Sequence, residues 1–234
     1  GTYSDGTKYG MWGVIIHEVG HNFFPMIINS DERQWSWMDE GLNTFVQYLT
    51  EQEWERGYPS RRGPAYMITD YMRGDKKFIS PIMTNSESIW QFGNNAYGKP
   101  ATALNILRET VMGRELFDYA FKIYCERWKF KHPTPADFFR TMEDASGVDL
   151  DWFWRGWFVH NWRLDQGINS VSYVNGNPQL GAFIMIENFE KMAMPVIMDI
   201  KTKSGKVSKA KKPKKPKVKK RSEEHTSELQ SLRH

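Results

Sequence analysis

Gly13-Val-Ile-Ile-His-Glu-Val-Gly-His-Asn-Phe23 decides how this chain is read, because it contains the pentapeptide His17-Glu18-Val19-Gly20-His21. On an α-helix, residues four apart lie one turn apart on the same face, so the imidazoles of His17 and His21 can reach one ion. Glu18 sits about 100° further round the helix, close to a water on that ion and poorly placed to bind the ion itself. This is the H-E-x-x-H arrangement of two zinc ligands and a general base.

A catalytic zinc site takes a third protein ligand and keeps one position open for water. Eighteen residues after His21 the chain reads Trp37-Met-Asp-Glu-Gly-Leu-Asn43, and Glu40 is the candidate. The first helix is expected to end near Phe24, because Pro25 disfavours α geometry in the residue before it. A second helix is expected from Ser36, capped by that hydroxyl with Asp39 as a weak capping box, and running to about Arg56. Leu42, Phe45, Val46 and Leu49 keep its helical spacing. Glu40 then lies in the first turns, facing back toward the histidines. Thr44, one turn beyond, reads equally as a group steadying a ligand or as a solvent-facing or helix-bonded hydroxyl.

H-E-x-x-H followed by eighteen residues and Glu, inside W-x-x-E-G, resembles the aminopeptidase N family of gluzincin zinc peptidases. The resemblance covers roughly residues 1–200, with specific motifs at 17–21, 37–41 and 97–99. It implies an α+β, mainly α chain: a thermolysin-like zinc peptidase domain followed by the first strands of a β-sandwich. It also implies one Zn2+ per chain on His17, His21 and Glu40, Glu18 as general base, and a peptide or small protein as substrate. In this family a tyrosine in Y-x-K-G stabilises the transition state. Tyr97, 57 residues after Glu40 and followed by Gly98-Lys99, takes that place. Pro100 stands where glycine is common, which the start of a helix tolerates. Asp151-Trp-Phe-Trp154 matches a further family segment, and its aromatic stripe reads as core.

One departure bears on substrate. The family's G-x-M-E-N strand, whose glutamate helps to hold the free α-amine, does not occur in this sequence and is expected upstream of Gly1. Aminopeptidase action is therefore an implication of the family. An endopeptidase or epoxide hydrolase of the same group, or a non-catalytic zinc-containing binding module, are the alternatives. The chain by itself is expected to bind zinc but to show little aminopeptidase turnover.

The 234 residues are 40% hydrophobic and 15% aromatic, enough for one large core and part of another. All ten tryptophans fall within residues 1–165, the expected extent of the catalytic domain. The net charge of +4 is unevenly spread: residues 1–200 carry 19 Lys+Arg against 25 Asp+Glu, whereas residues 201–221 carry 12 basic and no acidic residues. The body is acidic and the tail basic. A lone cysteine, Cys125, excludes an internal disulfide and reads as a structural thiol on a helix. No apolar run approaches the 18–20 residues of a membrane span, so no transmembrane segment is expected here. His132 and His160 lack metal-ligand spacing.

Further helices are expected at 65–73, 101–112, 114–128, 135–145 (capped by Thr134) and 149–159, with residues 1–10 as loop and 74–98 as a long connection walling the site. The β domain is expected to open over residues 166–205, with strands near 170–174, 182–186 and 195–200 and turns at Asn175-Gly176 and Ser204-Gly205. Residues 206–220, a lysine block broken by prolines, are expected to be disordered. They lack the interleaved aromatics of a base-stacking surface, so no nucleic-acid partner is expected. Residues 221–231, Arg-Ser-Glu-Glu-His-Thr-Ser-Glu-Leu-Gln-Ser, resemble one translated frame of a sequencing-library adapter. Residues 221–234 are accordingly expected to be absent from the natural protein.

Overall fold

The computed structural model describes residues 3–201, 205 and 207–209. Two compact units meet in sequence at Arg163 and Leu164. The first is helical and opens with α1, Asp5–Gly20, not with the loop expected through residue 10. The Ser4 hydroxyl accepts the Thr7 N–H and satisfies a free donor at the helix start, which outweighs the loop tendency of Gly6 and Gly10. The α-helix gives way after Gly20, and Phe24 leaves helical geometry (φ −122°, ψ 107°) ahead of Pro25, as the proline requires.

A wide π-helical turn, Trp37–Gly41, precedes α2, Leu42–Trp54. Ser36 does not cap it. Its backbone is already helical, and its hydroxyl pairs with that of Ser86 across the fold. The turn is fixed by aromatic packing instead. Trp37 is buried, stacked on Phe139 with centroids 5.8 Å apart and edge-on to Phe158 at 4.9 Å. Such pairs contribute about 0.5–1.5 kcal/mol each beyond area burial.

The core partners come from later helices: α3 (Thr69–Arg73), α4 (Lys99–Ile106), α5 (Arg114–Trp128), α6 (Pro135–Ser146) and α7 (Asp151–Trp154). A further π-helical turn, Arg155–Val159, continues α7 and carries Trp157 and Phe158 inward. The expected cap of α6 forms as a full capping box, with Thr134 and Asp137 satisfying each other's backbone donors. Phe45 of α2 meets Phe117 of α5 at 5.4 Å, which ties the ligand-bearing end of the chain to the later helices. Burial pushes the Cys125 thiol up to about 12, in keeping with a structural group.

Among the described residues, the second unit contains two antiparallel pairs. Strands β1 (Gln166–Tyr173) and β2 (Ala182–Asn188) pair from Gln166↔Asn188 to Tyr173↔Ala182, with an irregularity between Ile168 and Ser170. Asn175 and Gly176, both with positive φ, turn the chain between them. Strands β3 (Asp199–Lys201) and β4 (Val207–Lys209) form the other pair. Two expectations change here. Residues 195–198 are not strand, and residues 207–209 of the basic block pair with β3 through backbone hydrogen bonds, which every non-proline residue can make. The rest of the basic block and residues 221–234 lie outside the described residues. Among the described residues, no helix is long and apolar enough to cross a membrane.

Candidate metal centre

The α1–α2 contact sets the centre's geometry. A Cβ on Gly20 would lie 2.0 Å from Asn43 Oδ1, so only glycine allows this approach, and the Asn43 amide donates to the His17 carbonyl at 2.8 Å. The glycine of W-x-x-E-G has a similar reason. A Cβ on Gly41 would lie 2.7 Å from Pro100 Cγ and 3.0 Å from the Ala96 carbonyl oxygen. Glu40 is thereby brought beside the segment that carries Tyr97.

The two contacts bring three acceptor atoms together. His17 Nε2 lies 3.1 Å from Glu40 Oε2, His21 Nε2 lies 3.6 Å from the same oxygen, and the two Nε2 atoms are 3.2 Å apart. The Phe24 carbonyl, 2.9 Å from His21 Nδ1, can only accept, so Nδ1 donates and the His21 Nε2 lone pair faces the cluster. Two imidazole nitrogens and one carboxylate oxygen are a zinc donor set, and these residues fit the ion. Charge agrees with chemistry. The Glu40 carboxylate pushes the His17 imidazole above its ordinary value. Burial pushes Glu40 up, but His17 and Tyr97 against it hold it below the usual carboxylate range. Asp39, its Oδ1 3.0 Å from His21 Nδ1, is pushed up to about 8 by burial and by Glu40.

Beside the cluster lies a cavity of about 580 Å³, lined by His17, Glu18, Thr44, Gln47, Arg62 and Tyr97 among others. Glu18 is exposed and lines the same cavity without joining the three-atom cluster. Tyr97 stacks on His17 with centroids 5.8 Å apart. Burial and then the Glu40 carboxylate push its phenol well up, so it stays protonated at neutral pH. The Arg62 guanidinium sits 4.5 Å from the Tyr97 ring, a cation–π contact between residues 35 apart in sequence.

Thr44 follows neither of its two readings. It is buried, and its hydroxyl has no hydrogen-bond partner among the described residues. The group behind His17 is Gln47, whose Oε1 accepts from His17 Nδ1 at 2.9 Å. Gln47 stands seven residues after Glu40, two turns along the same helix face, and that spacing was its only signal in sequence.

Residues 2–157 match the peptidase family M1 domain. The chain is similar to glutamyl aminopeptidase of Bos taurus, 25% identical over 149 residues, or 61% of this chain and 16% of that protein. It is similar to mitochondrial aminopeptidase 2 of Saccharomyces cerevisiae, 22% identical over 204 residues, or 82% of this chain and 21% of the relative. Against probable aminopeptidase 2 of Sulfurisphaera tokodaii the identity is 25% over 159 residues, covering 65% of this chain and 20% of the relative. The chain thus spans about a fifth or less of the length of these relatives.

Proposed function

The chain belongs to peptidase family M1, and on that premise we propose that it carries the metal centre of a zinc-dependent peptidase of aminopeptidase type, acting on peptides or small proteins. His17, His21 and Glu40 would hold one zinc ion. The convergence of their ligand atoms, all within 4.8 Å of one another beside a cavity that Glu18 and Tyr97 also line, is the observation that supports this most. The relatives named as aminopeptidases support the exopeptidase part of the reading.

A zinc ion held there supplies Lewis acidity toward a carbonyl oxygen and toward water. The chain's own groups do the rest. Glu18, outside the ligand set, takes the proton of the attacking water and delivers it to the departing amine as the C–N bond breaks and a C–O bond forms. Tyr97 donates its O–H to the oxygen that gains charge as the carbonyl becomes tetrahedral. Arg62, against the Tyr97 ring, holds that phenol in place and adds positive potential on the same side of the cavity.

The test is hydrolysis of an aminoacyl-fluorophore by the full-length protein, with zinc removed by chelation and then restored. Activity lost and regained with zinc, and absent on the N-acetylated substrate, is the expected result. Cleavage of internal bonds in N-blocked peptides would make it an endopeptidase, and no zinc-dependent hydrolysis would overturn the reading.

A further inference from the structure

We propose that Gln47 is a positioning residue that fixes which nitrogen of His17 faces the metal, an inference that rests on the zinc-site reading above. The amide of Gln47 has two ends, and its surroundings decide which way it points. Its Nε2 donates to the Gly13 carbonyl at 3.1 Å and to Glu51 Oε1 at 2.8 Å. Both of those atoms accept, so the NH2 group must face them and Oε1 must face His17. An amide oxygen can only accept. His17 therefore donates from Nδ1, and Nε2, 3.1 Å from Glu40 Oε2 and 3.2 Å from His21 Nε2, is the nitrogen left to take the metal.

The arrangement is anchored further back. Glu51 is buried, and its second oxygen accepts the Ser60 hydroxyl at 2.5 Å. The chain His17–Gln47–Glu51–Ser60 thus runs from the metal-facing ring to a loop serine, with one carboxyl group two links behind the imidazole. His21 achieves the same tautomer differently, through the Phe24 carbonyl, so the two ligands are held by unrelated parts of the chain. Removing such a partner lets the ring turn or change tautomer and typically lowers metal affinity 10–100-fold.

The experiment is zinc affinity of the 234-residue chain, measured by competition with a fluorescent chelator, with far-UV circular dichroism to count the folded fraction. Gln47→Leu and the closer-shaped Gln47→Met should both weaken zinc binding by about 10–100-fold while the folded fraction stays that of wild type. The methionine variant decides the matter if the leucine variant fails to fold. The double exchange Gln47→Glu with Glu51→Gln restores an acceptor for His17 Nδ1 and a donor behind it. It should return affinity to within about threefold of wild type, well short of the loss expected for an unsupported ligand. Either single variant binding within about that threefold would overturn the proposal, since a structural role alone moves stability and not affinity. Wild-type protein that binds no zinc would overturn the site reading, and this inference with it, and is a distinct result.

Discussion

Asn43 occupies the space that a side chain on Gly20 would need: a Cβ there would lie 2.0 Å from Asn43 Oδ1, while the Asn43 Nδ2 donates to the carbonyl of His17. The glycine of the metal motif is thus a packing requirement of the two ligand-bearing helices.

Gly20→Ala sets two effects against each other. Alanine favours the helix by about 1 kcal/mol over glycine. Overpacking costs about 1–3 kcal/mol, and displacing Asn43 adds the loss of one hydrogen bond, about 1 kcal/mol. The variant should be less stable by about 1–3 kcal/mol in urea unfolding and should bind zinc more weakly. Unchanged stability would mean that α1 and α2 separate freely.

Lys99 gives a pH-dependent prediction. Its side chain is fully buried, Nζ donates to the Ser80 carbonyl at 3.3 Å, and burial lowers its pKa from 10.5 to about 8. The folded protein therefore releases this proton earlier than the unfolded chain. Below pH 8 both states hold it, and the folded state bears the cost of a buried charge. Between pH 8 and 10.5 the unfolded state binds more protons, so this group's contribution to stability rises with pH. Unfolding of wild type and Lys99→Met across that window should show Met ahead at neutral pH and the gap closing toward pH 10.5. A constant gap would contradict the depressed pKa.

In the full-length enzyme, Glu18→Gln should leave zinc content and stability as they are and reduce kcat by about 10²–10⁴, the range of lost general base catalysis. Stability is spared because Glu18 is exposed. Wild-type turnover by this variant would remove Glu18 from the mechanism.

Tyr97→Phe should keep KM near wild type and reduce kcat by about 10²–10³, as for one oxyanion donor. The ring that stacks on His17 and on Arg62 is preserved, so the loss reports the hydroxyl alone. A rise in KM with kcat unchanged would instead make Tyr97 a substrate-binding group.

Much of this was legible in sequence, for definite reasons. His17, His21 and Glu40 follow from helical periodicity plus a fixed spacing, and helix 114–128 keeps its pattern from end to end. Thr134 with Asp137 forms a local cap whose two partners are three residues apart. What escaped reading depends on partners distant in sequence. Ser36 looks like a cap until Ser86, fifty residues on, takes its hydroxyl. Gln47 looks like a surface glutamine until Gly13 and Glu51 orient its amide toward His17. The expected loop over residues 1–10 is helix from Asp5, because the Ser4 hydroxyl caps a segment whose glycines at 6 and 10 disguise it.

The central claim is that one zinc ion is bound where His17, His21 and Glu40 converge, and elemental analysis of purified 234-residue chain tests it most directly. Wild type should carry one zinc per chain. His21→Ala, which leaves two ligands of three, should carry essentially none after dialysis, because tight binding needs the full ligand set. Equal zinc in wild type and His21→Ala would contradict the account.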